Sequence, residues 1–216
     1  MSKVVAAIGG GLKDVFFGRL TLLALLNFVI AVTLTATAAW AIITHAVPLI
    51  PNGGGWVRYV SQGGELLASV VVVVLAVALS PAISMIVGGV LFFDIAAERV
   101  EKKIGAPKGR IVPVHQALWN NVRIALPALV LNLVAIPLYF IPVVNAIVFW
   151  SLNGFLMGRE YATVVAARHM SYADAVKLRK RNGAAVFLVG FACSVIPFFA
   201  PLVGASAMTR LVQSLR

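Results

Sequence analysis

Residues 20–47 read LTLLALLNFVIAVTLTATAAWAIITHAV, without one Asp, Glu, Lys or Arg. About 20 apolar helical residues cross the roughly 30 Å hydrocarbon core of a bilayer. This stretch therefore predicts a spanning helix over 20–47, ended by Pro48, Pro51, Asn52 and Gly53 to Gly55. Upstream, Val4, Val5, Ile8, Leu12, Val15 and Phe16 recur at roughly helical spacing, with Lys3, Lys13 and Arg19 on the polar side. Residues 1–19 thus predict an interfacial helix that leads into the membrane. A cleaved signal peptide, processed at Ala36-Thr37-Ala38, is the competing reading. The apolar run continues to Ile50, which is too long for a signal core. Downstream, residues 66–93 predict a second span, dominated by Val70 to Val74. Ser80-Pro81 predicts a kink there, and Gly88-Gly89 a close backbone approach. Residues 94–104 then alternate as an amphipathic helix. Ile95, Ala96, Val100 and Ile104 share one side, and Glu98 and Lys102 are spaced as an i,i+4 pair on the other.

The composition agrees with this reading. Among 216 residues, 61% are apolar and 12% charged. Soluble domains carry about 45–50% and about 25%. The chain is thus an all-α integral membrane protein in which lipid replaces much of a core. The single cysteine, Cys193, excludes an intramolecular disulfide. The net charge of +11 comes from basic residues that flank the apolar runs. That placement fits cytoplasmic loops and anionic lipid headgroups. No nucleic-acid motif accompanies it, so no nucleic-acid partner is expected.

The C-terminal half carries a repeated pattern. Residues 136–146, IPLYFIPVVNA, line up with residues 196–205, IPFFAPLVGA, once one position is skipped. Each joins an apolar helix, Ile-Pro, aromatics, a second proline and another apolar helix. Residues 124–157 and 184–212 therefore predict two re-entrant, half-membrane hairpins, because the limbs of the second are too short to span. Four ordinary short helices with proline kinks are the alternative. Residues 159–182 between them predict amphipathic cytoplasmic helices. Ser171-Tyr172-Ala173-Asp174 resembles a capping box at the start of the second.

Loop charge sets the expected topology. Lys and Arg concentrate in residues 1–19, 94–123 and 159–183, whereas the 48–65 loop holds only Arg58. The positive-inside rule then places both termini and both basic regions in the cytoplasm of a multi-pass inner-membrane protein.

Catalytic chemistry finds little support. His45, His115 and His169 share no helical face and no metal-ligand spacing, so no metal site is expected. Cys193 reads as a small core residue. Ser80, Ser151 and Ser194 have no visible His–carboxylate partner. Gly9-Gly10-Gly11 lacks the strand of a phosphate loop, and no cofactor is expected. The polar groups near the membrane suit anions better. Gly18-Arg19 opens the first span, Asn120-Asn121-Val122-Arg123 precedes the first hairpin, and Asn153-Gly154 and Arg159 follow its turn. A helix N-terminus with an arginine beside it is a ready oxyanion site. Gly18 and Arg19 are the candidate anion site; Arg123, Asn132, Asn145, Asn153 and Arg159 are candidates for lining a pathway. The competing roles are snorkelling for the arginines and helix bridging for the asparagines. Lys177, Arg179, Lys180 and Arg181 form a basic run, either a solvated face or a vestibule that concentrates anions.

These residues carry a family resemblance. Ser80-Pro81 through Val87-Gly88-Gly89-Val90-Leu91-Phe92-Phe93-Asp94 and Ala97-Glu98-Arg99-Val100-Glu101 resemble a helix junction of the CysZ sulfate permease family. Tyr139 to Asn145, Leu152 to Tyr161 and Pro197 to Met208 resemble the wider etoposide-induced-protein-like group. The resemblance implies two long spans, two half-membrane helix pairs, a homo-oligomer, and sulfate uptake for cysteine synthesis. It also implies an anion site at a Gly-apolar-Arg motif opening the first span. Here that stretch reads Phe17-Gly18-Arg19-Leu20, without the intervening apolar residue or a second arginine. A non-transporting membrane assembly protein of the same fold is the alternative function, and a lipid-acting membrane enzyme ranks last for want of catalytic groups.

Overall fold

The computed structural model describes residues 1–49, 56–110 and 143–216, with isolated positions between 115 and 141. Asn132, the Pro51 to Gly55 loop, and Ile136, Tyr139, Phe140 and Pro142 of the first hairpin turn lie outside the described residues. Every regular element among the described residues is helical. Helices α1 (Ser2–Phe17), α2 (Thr21–Ala41), α3 (Trp56–Val87), α4 (Phe93–Lys103), α5 (Val144–Ala167), α6 (Tyr172–Arg181), α7 (Gly183–Ser194) and α8 (Ala200–Leu215) follow in chain order.

Helix α2 runs on through a π-turn, so that Thr21–Ala46 is one apolar helix of 26 residues. At 1.5 Å per residue it is about 39 Å long, enough to cross the hydrocarbon core. Among the described residues it is the one helix both long and apolar enough to do so. Helix α3 is longer, 32 residues. The two pack side by side. Leu23, Ala24, Asn27, Ala31 and Thr35 form the buried stripe of α2 at helical spacing. Leu25, Val29, Leu34, Val70 and Val74 face outward and are exposed.

The remaining helices build a second body around α8, which is buried along almost all of its length. Helices α1, α4, α5 and α7 pack against it. The α5–α7 crossing is close because Gly154, Gly158 and Gly190 meet there. A Cβ on Gly190 would fall onto the Gly154 carbonyl oxygen and the Gly158 backbone. Small residues allow such backbone approach where lipid gives no hydrophobic drive to association.

Helices α7 and α8 form a hairpin whose turn, Val195 to Phe199, docks against α2 and α3. Asn27 Nδ2 donates to Ser84 Oγ (2.8 Å) and to the Phe198 carbonyl (3.0 Å), and Ser84 Oγ donates to the same carbonyl (2.7 Å). Phe28 packs edge-on against Phe198, and Phe16 against Phe199.

Two side-chain expectations differ from what the fold shows. The buried face of α4 is Phe93, Ala96, Ala97, Val100 and Glu101, while Ile95 is exposed. Glu98 pairs with Lys108 (2.7 Å) instead of Lys102. The reason lies in Gly105, whose φ of +66° turns the chain back after α4 at low steric cost. Ala106 N then donates to the Glu101 carbonyl (2.9 Å), and the returning strand of chain carries Lys108 over Glu98.

Candidate functional site

Two carboxylates are buried where α1, α4 and α8 meet. Asp14 on α1 is 1% exposed. Its Oδ2 accepts from Arg210 Nη2 (2.6 Å) and Ser206 Oγ (2.8 Å), both on α8, and its Oδ1 is ion-paired with Lys103 of α4. Burial alone would raise this carboxyl, but the bonds from Lys103, Arg210 and Ser206 prevail and hold it below its ordinary 3.8. Glu101 on α4, also 1% exposed, receives both Nε (3.1 Å) and Nη2 (3.2 Å) of Arg168, and the Gly109 amide donates to its Oε2 (3.0 Å). Burial is again outweighed, here by Arg168 and the Gly109 N–H, and Glu101 sits below its ordinary 4.5. Arg168 Nη1 also reaches Asp94 (2.6 Å). His169 Nε2 lies 3.0 Å from Glu101 Oε1, yet burial pushes the imidazole below 6.5 despite that carboxylate. Asp14 thus ties α1 to α4 and α8, and Glu101 ties α4 to the end of α5.

The predicted anion-site residues stand on top of this network. Gly18 and Arg19 form the corner between α1 and α2. Leu20 N donates to the Asp14 carbonyl (3.0 Å), so the residue whose side chain anchors the network also closes the corner. Thr21 Oγ1 donates to the Gly18 carbonyl (2.9 Å) and accepts from the Gly18 amide (3.2 Å). A Cβ on Gly18 would come within 2.9 Å of Asp14 Cα, so this tight corner needs glycine. Gly18 spends its own N–H on Thr21, and two guanidiniums stand at the corner as charged donors. One is Arg19, which is exposed. The other is Arg99 of α4, whose Nη1 donates to the Arg19 carbonyl (3.1 Å). Neither arginine is ion-paired to a carboxylate among the described residues.

The other predicted residues do not join this corner. Arg159 Nη2 donates to the Arg123 carbonyl (3.3 Å), and Arg123 lies over the rings of Trp119 and Tyr172 (5.1 and 5.5 Å to the centroids). Asn153 Nδ2 bonds the Phe149 carbonyl one turn back on its own helix (2.8 Å). Asn145 is exposed in the first turn of α5. Sequence reasoning overlooked Asp14, Glu101 and Arg168 as buried groups and Arg99 as the neighbour of Arg19. One available signal was Asp14 in the last turn of an otherwise apolar and basic helix, where an unpaired carboxylate would be costly to bury.

None of the curated proteins and none of the solved structures compared matches the chain. A family model described as "Sulfate transporter CysZ/Etoposide-induced protein 2.4" matches residues 7–207. That match takes in the corner, Asp14, Glu101 and Arg168 and all but the ends of the chain, and the protein belongs to this EI24 family.

Proposed function

We infer that this protein is a permease or channel for sulfate or a related oxyanion. The observation that carries the reading is the α1–α2 corner. There Arg99 bonds the Arg19 carbonyl at the start of the membrane-length helix, and no carboxylate is ion-paired to either arginine among the described residues. Guanidiniums match the geometry of tetrahedral oxyanions, and the positive end of α2 adds its dipole. The family's description as sulfate transporter points the same way.

The finer architecture belongs to the same proposal. The protein lies in the inner membrane as a multi-pass homo-oligomer, with both termini and the basic loops in the cytoplasm. The one-sided Lys and Arg distribution supports that placement of the termini and loops. The α7–α8 hairpin is re-entrant. Its limbs of 12 and 16 residues are about 18 and 24 Å long, short of the hydrocarbon core. Its turn meets α2 at Asn27, about 9 Å along the helix from Thr21.

Labelled-sulfate uptake into vesicles containing the purified protein tests the function. Arg19→Ala and Arg99→Ala should each weaken uptake at limiting sulfate by about tenfold or more, the loss expected for one charge-assisted hydrogen bond. Arg19→Lys should recover part of it, since charge remains and the bidentate fork is gone. Saturable uptake that both alanine variants leave untouched would move the site elsewhere. No flux at all, with a membrane partner co-purifying, would favour the assembly role.

A further inference from the structure

Most of the chain's few carboxylates are already engaged. Asp14, Asp94, Glu98, Glu101 and Asp174 each hold a cation. None of them reaches Arg159, Arg179 or Lys180. Those three line a cavity of about 440 Å³ between α5, α6 and α7, whose apolar lining includes Leu131, Phe155 and Phe187. That volume lies within the roughly 300–1,000 Å³ of small-molecule sites. Arg179 Nη1 donates to Thr163 Oγ1 (3.2 Å) and Arg159 Nη2 to the Arg123 carbonyl (3.3 Å). These neutral acceptors orient the guanidiniums without cancelling their charge. Burial, then the charge of Arg159, pushes the Arg179 guanidinium below its ordinary value, as expected of cations held close together.

The lining chooses between ligands. A free oxyanion would use the cations and gain nothing from Leu131, Phe155 and Phe187. An anion carrying a hydrocarbon chain would use both. The apolar wall also continues outward, since Phe155 remains 47% exposed and Leu188 and Phe191 beyond it are exposed. We propose that the cavity between α5, α6 and α7 binds the phosphoryl headgroup of an anionic phospholipid. Arg159, Arg179 and Lys180 hold the phosphate, and an acyl chain runs along Phe155 and Phe187. The site is separate from the Gly18–Arg19 corner, so it stands or falls apart from sulfate transport.

Native mass spectrometry of the full-length protein in neutral detergent tests it, after exchange with phosphatidylglycerol or phosphatidylcholine. The parent should retain phosphatidylglycerol with at least about a tenfold preference, the scale of one or two charge-assisted contacts. Arg159→Ala/Arg179→Ala should abolish the preference. So should Gly183→Glu at the cavity lining, which adds a carboxylate where a Cβ meets no neighbour within 4 Å and so leaves the packing intact. Lys102→Ala, an equal charge change on exposed α4 surface, should behave like the parent. A preference that survives in Gly183→Glu and in the double variant, or one lost equally in Lys102→Ala, would overturn the proposal. Displacement of the lipid by millimolar inorganic phosphate or sulfate bound in its place would also overturn it and assign the cavity to a free oxyanion.

Discussion

On the α2–α3 pair, Leu25, Val29, Val70 and Val74 are exposed, while Asn27 and Ser84 are fully buried. In the body built on α8, the groups withdrawn from solvent include Asp14, Glu101 and Arg168. Both regions bury polar groups, but for different reasons. In the pair, Asn27 and Ser84 pin the α7–α8 turn, and Leu25, Val29, Val70 and Val74 present apolar surface suited to lipid. In the α8 body, charges are matched almost one to one, so each buried ion has a partner. The contrast separates a pair pinned by a few neutral hydrogen bonds from a body whose apolar core encloses paired charges. Apolar side chains lose little by facing lipid, whereas an unpartnered charge or amide loses much.

The contrast is broken most severely at Glu101. Glu101→Ala leaves Arg168 buried without its main partner and should destabilise the protein by about 3–5 kcal/mol, read as thermal unfolding in detergent. The double change Glu101→Leu/Arg168→Met should recover much of that loss, because both charges leave together. A single variant that melts like the parent would show that the network is ornamental.

Acid should act on the α8 body before the α2–α3 pair. His169 is held below 6.5, so the unfolded chain takes up that proton first and stability starts to fall as pH drops below that value. Glu101 and Asp14 sit below 4.5 and 3.8, so their contribution is complete above those values and is lost as pH falls from there through their folded values. Hydrogen exchange at falling pH should therefore open α1 and α4 before α2. The reverse order would contradict the division.

Asn27→Ala should cost only about 1 kcal/mol, since one amide leaves two partners behind and membrane hydrogen bonds are individually modest. Its effect should be local, seen as faster exchange across Val195 to Phe199. Smallest of all, Leu25→Ala on the outward face of α2 should change stability by no more than about 0.5 kcal/mol. A cost typical of a core leucine, about 2–5 kcal/mol, would mean that this face packs against protein.

The amino-acid sequence by itself determined that the chain is helical and built for a membrane. Both follow from local quantities: the uncharged run across Thr21 to Ala46, and the scarcity of charge throughout. It also marked Ser171, whose hydroxyl accepts from the Asp174 amide (3.2 Å), because a cap is a contact between residues three apart. The tertiary structure alone decided which charges are buried and with whom. Asp14 meets Arg210 across 196 positions, Glu101 meets Arg168 across 67, and Arg99 reaches the Arg19 carbonyl across 80. No periodicity encodes such pairs. In a chain with 18 basic and 7 acidic residues, each carboxylate has many possible partners, and only the packing of α1 and α4 on α8 selects among them.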